Sequence, residues 1–256
     1  MVSATPALPL INTNNIINAA DYGAVGDNAT DNTSAIQNAI SAAAAGGSTN
    51  GLIGGTVNIP AGIYLCGPLN LANGVNLRVD AGAILRMLPI TQYPGGTVNP
   101  ANFISANNLH DIAISGPGAI DGQGLPWWPY ANTNGANRPI MIRLNSCNRE
   151  LIQNITLSNS PMFHISISGS SAANSTVLGV IIRAPSSGAN PPSHNTDACD
   201  VSGSAILVQN CDISVGDDNF TCGGNTSDIL ITNCIYGNGH GVSIGSYTSP
   251  YVSNMN

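Results

Sequence analysis

Two stretches of the chain are close copies of each other. Ile206-Leu207-Val208-Gln209-Asn210-Cys211 and Ile229-Leu230-Ile231-Thr232-Asn233-Cys234 lie 23 residues apart. A repeat of this length marks a solenoid, in which each turn of chain lies on the previous one. Residues one repeat apart then stand one strand spacing apart, about 4.8 Å. Around the repeat sit Asn195-Thr196-Asp197, Gly216-Asp217-Asp218 and Gly239-His240-Gly241. Asp197 precedes Asp217 by 20 residues, and Asp217 precedes His240 by 23. Stacking gathers Asp197, Asp217, Asp218 and His240 on one side of three adjacent turns, within roughly 10 Å of each other by the same spacing.

Such a group suits glycoside hydrolysis, which needs one protonated carboxyl to release the leaving oxygen and one ionised carboxylate to activate water or attack the sugar. Like charges packed together raise at least one pKa and separate the two roles.

The rest of the composition agrees with a stacked β architecture. Charged residues make up only 7% of the 256, but 43% are hydrophobic, many of them β-branched, which argues for a folded β protein. With 29 Gly and 16 Pro, long helices are not expected. The repeat favours one elongated domain over residues 1–256. The net charge of −7 and a pI near 4.6 speak against nucleic acid as a partner, and the six basic residues are all Arg. No apolar run reaches the 18 or so residues of a membrane span. Met1-Val2-Ser3-Ala4 lacks the basic and apolar regions of a signal peptide, and the expectation is that a signal has been removed ahead of it. Six cysteines (66, 147, 199, 211, 222 and 234) fit an oxidising compartment and a secreted protein. They allow 15 pairings; Cys211 and Cys234 share a repeat position and are expected to stack inside as small apolar groups. A monomer is expected.

Taken in order, the turn-rich Asp21–Asp27 leads into Asp31-Asn32-Thr33-Ser34 and then Ala35–Ala43. Ile36 and Ile40 share one helical face behind a capping residue, which predicts one short helix closing the open end of the solenoid. Short β segments follow at Thr56–Ile59, Val75–Val79, Asp111–Ser115, Leu151–Leu157, Thr176–Ile182, Ile206–Ile213 and Ile229–Tyr236. Leu77, Ile112, Ile155, Val180, Cys211 and Cys234 are read as equivalent. Parallel strands joined by bends, with no helix between them, predict a parallel β-helix. Asn154, Asn210 and Asn233 share a position and are read as an asparagine ladder at a bend. The longest insertion, Gly122–Arg143, carries Trp127-Trp128, which either stack on sugar rings or anchor the loop. A second insertion spans Ala184–His194.

At Asn195–Asp200, Gly216-Asp217-Asp218 and Gly239-His240-Gly241-Val242-Ser243-Ile244-Gly245-Ser246 the chain resembles the polygalacturonase family of glycoside hydrolases. Asp21–Ile40, Gly116–Gly124 and Asn159-Ser160-Pro161 resemble it too. The resemblance implies an all-β, right-handed parallel β-helix and inverting hydrolysis of α-1,4-galacturonosyl bonds in pectin, with no cofactor. It implies that Asp217 is the general acid, that Asp197 and Asp218 hold the attacking water, and that His240 tunes the acid. Asn195 and Gly241, with Trp127 and Trp128, are the expected substrate-binding residues. One departure stands out: the family's Arg-x-Lys motif, about one turn after the histidine, has no counterpart in a sequence with no lysine. A chain cut short at its C-terminal end is expected on that ground.

Against these stand plainer readings. Singly, each Asp is a common turn residue. Asp200 and His194 are read as supporting or loop residues, His110 and His164 as structural, Arg143 as solvated or ion-paired. No zinc or calcium spacing occurs, so no metal is expected, and no Gly-x-Ser-x-Gly elbow is present. The rival functions are a rhamnogalacturonan or xylogalacturonan hydrolase, a pectate-lyase-like enzyme, and a non-catalytic β-helix.

Overall fold

The computed structural model describes residues 5–244 and 252–256. The start Met1–Ala4, and Gly245, Ser246 and Tyr251 of the motifs above, lie outside them. Among the described residues the chain winds into three parallel sheets of nine, eight and seven strands, and the protein is a parallel β-helix. Each turn contributes one strand to each sheet, so strand neighbours in space are one turn apart in sequence.

Register is set by which residues must be inside. On the nine-stranded sheet Val57, Leu77, Ile114, Ile152, Val177, Val208 and Ile231 stack one above another. On the eight-stranded sheet the column is Leu85, Ile120, Leu157, Ile182, Ile213 and Tyr236. On the seven-stranded sheet it is Ala106, Leu144, Ile167, Val201, Cys222 and Ile244. A one-residue slip would turn a whole column out to solvent, so the stacked apolar rows fix the pairing. Except at the last turn, where Ile244 is exposed and Ile231 and Tyr236 are half-buried, these rows fill one continuous core.

The stacking corrects the sequence reading in two places. Leu77 pairs with Ile114, not Ile112, so the equivalence assigned to the first two turns is off, whereas Ile155, Val180, Cys211 and Cys234 do share a column. The long segments predicted at Leu151–Leu157, Thr176–Ile182, Ile206–Ile213 and Ile229–Tyr236 are each two strands, broken at Asn154, Gly179, Asn210 and Asn233. All four break residues have positive φ, between 53° and 63°. Asn tolerates this left-handed conformation and glycine adopts it freely. Gly179 separates Asn154 from Asn210 in the stack, so the column is one of left-handed bends and not an unbroken ladder of side chains.

Helix α1 (Thr33–Ala44) buries Ile36, Ala39, Ile40 and Ala43 against the first turns and closes the N-terminal end, as the apolar spacing predicts. The upstream capping bond comes from Asp31, which accepts from the Thr33 amide (2.9 Å). Asn32 makes no capping bond; its buried amide bonds Val25, Thr30 and Leu65. All six cysteines are unpaired, and Cys211 is buried, with Cys234 half-buried on the next turn.

Candidate active site

The seven-stranded sheet carries the candidate site along one edge. Asp197, Asp218 and His240 each sit just ahead of a strand of this sheet, at Cys199–Val201, Phe220–Cys222 and Val242–Ile244. The strand register Asp200–Thr221–Ser243, carried back along the chain, aligns the three on successive turns. Ala198 N donating to Asp218 O (2.9 Å) and Asn219 N to Gly241 O (3.0 Å) hold that alignment past the strand ends. Asp217, one residue earlier, turns toward the same place. The four expected catalytic residues therefore come together.

His240 Nδ1 lies 3.1 Å from Asp218 Oδ1 and 3.3 Å from Asp217 Oδ1. The imidazole is exposed, and the two carboxylates beneath it are mostly covered. Asp217 is held at both oxygens: Oδ2 accepts from Asn195 N (2.9 Å) and Oδ1 from Asp218 N (3.0 Å). Asp197 is buried, and its Oδ1 has no hydrogen-bond partner within the protein. Burial, and then the neighbouring Asp217 charge, push its carboxyl up to about 8, so it keeps a proton through neutral pH. The ligand atoms of Asp217, Asp218 and His240 lie within 4.8 Å of one another, near enough to share a cation as well as a proton.

Three glycines and an asparagine place these groups. At Gly216 a Cβ would overlap Ser193 Oγ and lie 2.8 Å from Pro185 O, so only glycine lets the Asp217 turn pack on the Ser193 turn. Thr196 Oγ1 ties the same two turns, donating to Ser193 O (2.7 Å) and accepting from Gly216 N (3.0 Å). Gly239 (φ +136°) and Gly241 (φ +82°) flank His240 in conformations that glycine favours. Buried Asn219 clamps that turn, accepting from Gly241 N (2.9 Å) and donating to Asn238 O (2.9 Å). Gly241 has both backbone groups bonded to Asn219 and Phe220, which fixes the turn, and open space faces its Cα.

Arg138 escaped the sequence reading. It is buried, and donates to Pro161 O (2.9 Å), His194 O (2.8 Å) and Asn195 Oδ1 (2.7 Å). Burial lowers its affinity for a proton, only partly offset by the neighbouring Asp197 and Asp217 carboxyls, so this guanidinium is an internal counter-charge beside them. Asn195 links the two, its amide on Asp217 and its side-chain oxygen on Arg138, so it braces Asp217 against the buried guanidinium. His164 is fully buried and burial lowers its pKa to about 4. The neutral ring donates from Nδ1 to Thr196 O (3.1 Å), fixing the chain that carries Asp197. A signal was present for Asn219, next to the Asp pair; nothing in one sequence separates Arg138 from a surface arginine.

The tryptophans are corrected. Trp127 is 0% exposed and packs edge-on against Tyr93, ring centroids 5.7 Å apart. Trp128 is 4% exposed and donates Nε1 to Ser160 O (3.0 Å). Both anchor the long insertion; Trp127 lies inside the core with no face left for a sugar, and Trp128, outside the core cluster, borders a pocket with little of its ring exposed.

Three carboxylates and a histidine converging from adjacent turns of a parallel β-helix define a class by fold and site together. The comparisons narrow it: the model of glycosyl hydrolases family 28 matches residues 53–256, and the chain belongs to that family. It is 32% identical over 228 residues to an endo-polygalacturonase of Pectobacterium carotovorum subsp. carotovorum, covering 76% of this chain and 55% of the relative. It is 31% identical over 242 residues to a polygalacturonase of Cryptomeria japonica, covering 91% of this chain and 44% of the relative. The chain thus spans about half the length of the curated relatives it matches. The solved polygalacturonase of Erwinia carotovora ssp. carotovora superposes with a TM-score of 0.77 at 28% identity, over all of this chain and 70% of that one.

Proposed function

We propose that this chain carries the catalytic centre of a polygalacturonase, cleaving α-1,4-galacturonosyl linkages of pectin by water with inversion at the anomeric carbon. The observation that carries the reading is the convergence of Asp197, Asp217, Asp218 and His240. In this reading Asp217 protonates the leaving oxygen. Asp197 and Asp218 hold the water and take its proton, and the unsatisfied Asp197 Oδ1 supports such a contact. His240, against both exposed-side carboxylates, biases which of them holds a proton.

The proton inventory adds a requirement. In the free protein burial keeps a proton on Asp197. Asp197 takes up the water's proton only once substrate binding has freed it of its own. Pectin lies outside the cell, so the enzyme acts as a secreted protein; among the described residues no helix is long and apolar enough to cross a membrane.

The test is release of new reducing ends from polygalacturonate, with no unsaturated product. Asp217→Asn should lower the rate by several orders of magnitude at unchanged fold. An Asp217→Asn protein as active as wild type, or an unsaturated sugar among the products, would overturn the reading.

A further inference from the structure

An acidic protein that holds an acidic polymer needs a local cation, because a net charge of −7 repels the substrate. The six arginines are the only basic residues besides histidine. Four are spent on carboxylates: Arg78 on Asp80, Arg86 on Asp121, Arg149 on Asp111 and Arg183 on Asp212. Arg138 is spent on two backbone carbonyls and Asn195 inside the protein. Arg143 remains. Among the described residues it has no ion-pair partner, and its one hydrogen bond runs from Nη1 to Ser166 Oγ (2.5 Å). A guanidinium has five N–H donors in a fixed fork, so most of its capacity is open.

Its location follows from the register. Arg143, Ser166, Asp200, Thr221 and Ser243 form one polar row across the outer face of the seven-stranded sheet. Asp200 lies three residues beyond Asp197, and Thr221 three beyond Asp218, roughly 10 Å along an extended chain. The row opens into a pocket of about 180 Å³ lined by Arg143, Ser166, Ser168, Asp200, Ser202 and Thr221. Through Ser202 the pocket continues into a larger serine- and glycine-lined groove.

We propose that Arg143 is a specificity-determining residue, gripping the carboxylate of a galacturonate unit two turns of the helix, about 10 Å, before the Asp197 turn, while the surrounding hydroxyls hold that unit's own. This rests on the polygalacturonase reading. A planar carboxylate accepts two parallel N–H bonds from an Arg fork, whereas a neutral sugar has nothing to fill it. Asp200 shares the pocket; burial raises its carboxyl above the usual range, which lessens its repulsion of an incoming anion, and leaves it suited to a sugar hydroxyl.

The experiment compares a galacturonate tetramer with the same tetramer reduced to neutral galactose units, by titration calorimetry and by reducing-end kinetics. Wild type should bind the acidic tetramer the more tightly. Arg143→Gln should weaken that binding by about tenfold to a hundredfold, the range for a charge-assisted hydrogen bond. KM should rise by the same factor, with kcat nearly unchanged. Arg143→Lys should recover part of the loss, and both variants should bind the neutral tetramer as wild type does. Equal binding of the acidic tetramer by wild type, Arg143→Gln and Arg143→Lys would overturn the proposal and leave the polygalacturonase reading standing. A wild-type protein that neither binds nor cleaves the acidic tetramer would overturn both.

Discussion

Glu150, the chain's one glutamate, is 1% exposed. Its Oε2 accepts from Ser175 Oγ (2.9 Å), and its Oε1 has no partner within the protein. Burial raises its carboxyl to about 7, only partly offset by the Ser175 bond. The folded pKa is therefore above the unfolded one, near 4.5. Stability from this group is whole below pH 4.5 and is lost as pH rises toward 7, because folding then holds a proton that the unfolded chain has released. The shift corresponds to about 3 kcal/mol, at 1.36 kcal/mol per pH unit. Glu150→Gln removes the titration and keeps the shape. The amide's extra donors add an offset, but that offset is the same at every pH. Urea unfolding of both proteins at pH 4 and pH 8 isolates the effect. The variant's stability relative to wild type should improve by about 3 kcal/mol from the lower pH to the higher, a midpoint change of roughly 1–2 M for a urea slope of 2–3 kcal/mol/M. Identical pH dependence in the two proteins would refute the argument that Glu150 is folded in its neutral form.

Other perturbations test the site. Gly216→Ala should cost about 1–3 kcal/mol and most of the activity, since the added Cβ meets Ser193 and Pro185 oxygens; thermal melting and reducing-end release read both. Asn219→Ala should destabilise by a similar 1–3 kcal/mol, and should lower kcat more than it raises KM, because the turn carrying His240 loses its clamp. Asp197→Asn should flatten the decline of stability from acid toward alkaline pH, since Asp197 too is folded with its pKa raised; an unchanged slope would place the proton elsewhere.

How far one sequence reaches depends on whether a feature repeats. The 23-residue echo at Cys211 and Cys234 betrayed the stacked turns because those turns are regular, and the same regularity delivered Asp197, Asp217, Asp218 and His240 to one edge. Where insertions stretch the turn, the pattern misled: Leu77 is 37 residues before its partner Ile114, and a step of 35 to Ile112 looked equally good. The tryptophans misled for a different reason. Composition shows that an indole is in a loop, not which way the loop folds, and here Tyr93, itself buried, draws Trp127 inward. Arg138 and Arg143 lie five residues apart and look alike in sequence. Strand alternation, visible only once the sheet is formed, puts Arg143 on the outer face. Arg138 precedes the strand and is folded under.

That pair of arginines explains how a strongly acidic chain keeps three carboxylates together at all. Arg138, buried beside Asp197 and Asp217, supplies a positive charge that solvent screens little, without being available to substrate. The burial of Asp197, which holds a proton in place, removes one negative charge from the group. Removing Arg138 would strand Pro161 O, His194 O and Asn195 Oδ1, so its loss damages the fold around the site. Removing Arg143 takes the donor from one buried hydroxyl, Ser166, and a positive charge from beside Asp200, against three acceptors for Arg138. The outer arginine can therefore change with the substrate while the inner one cannot.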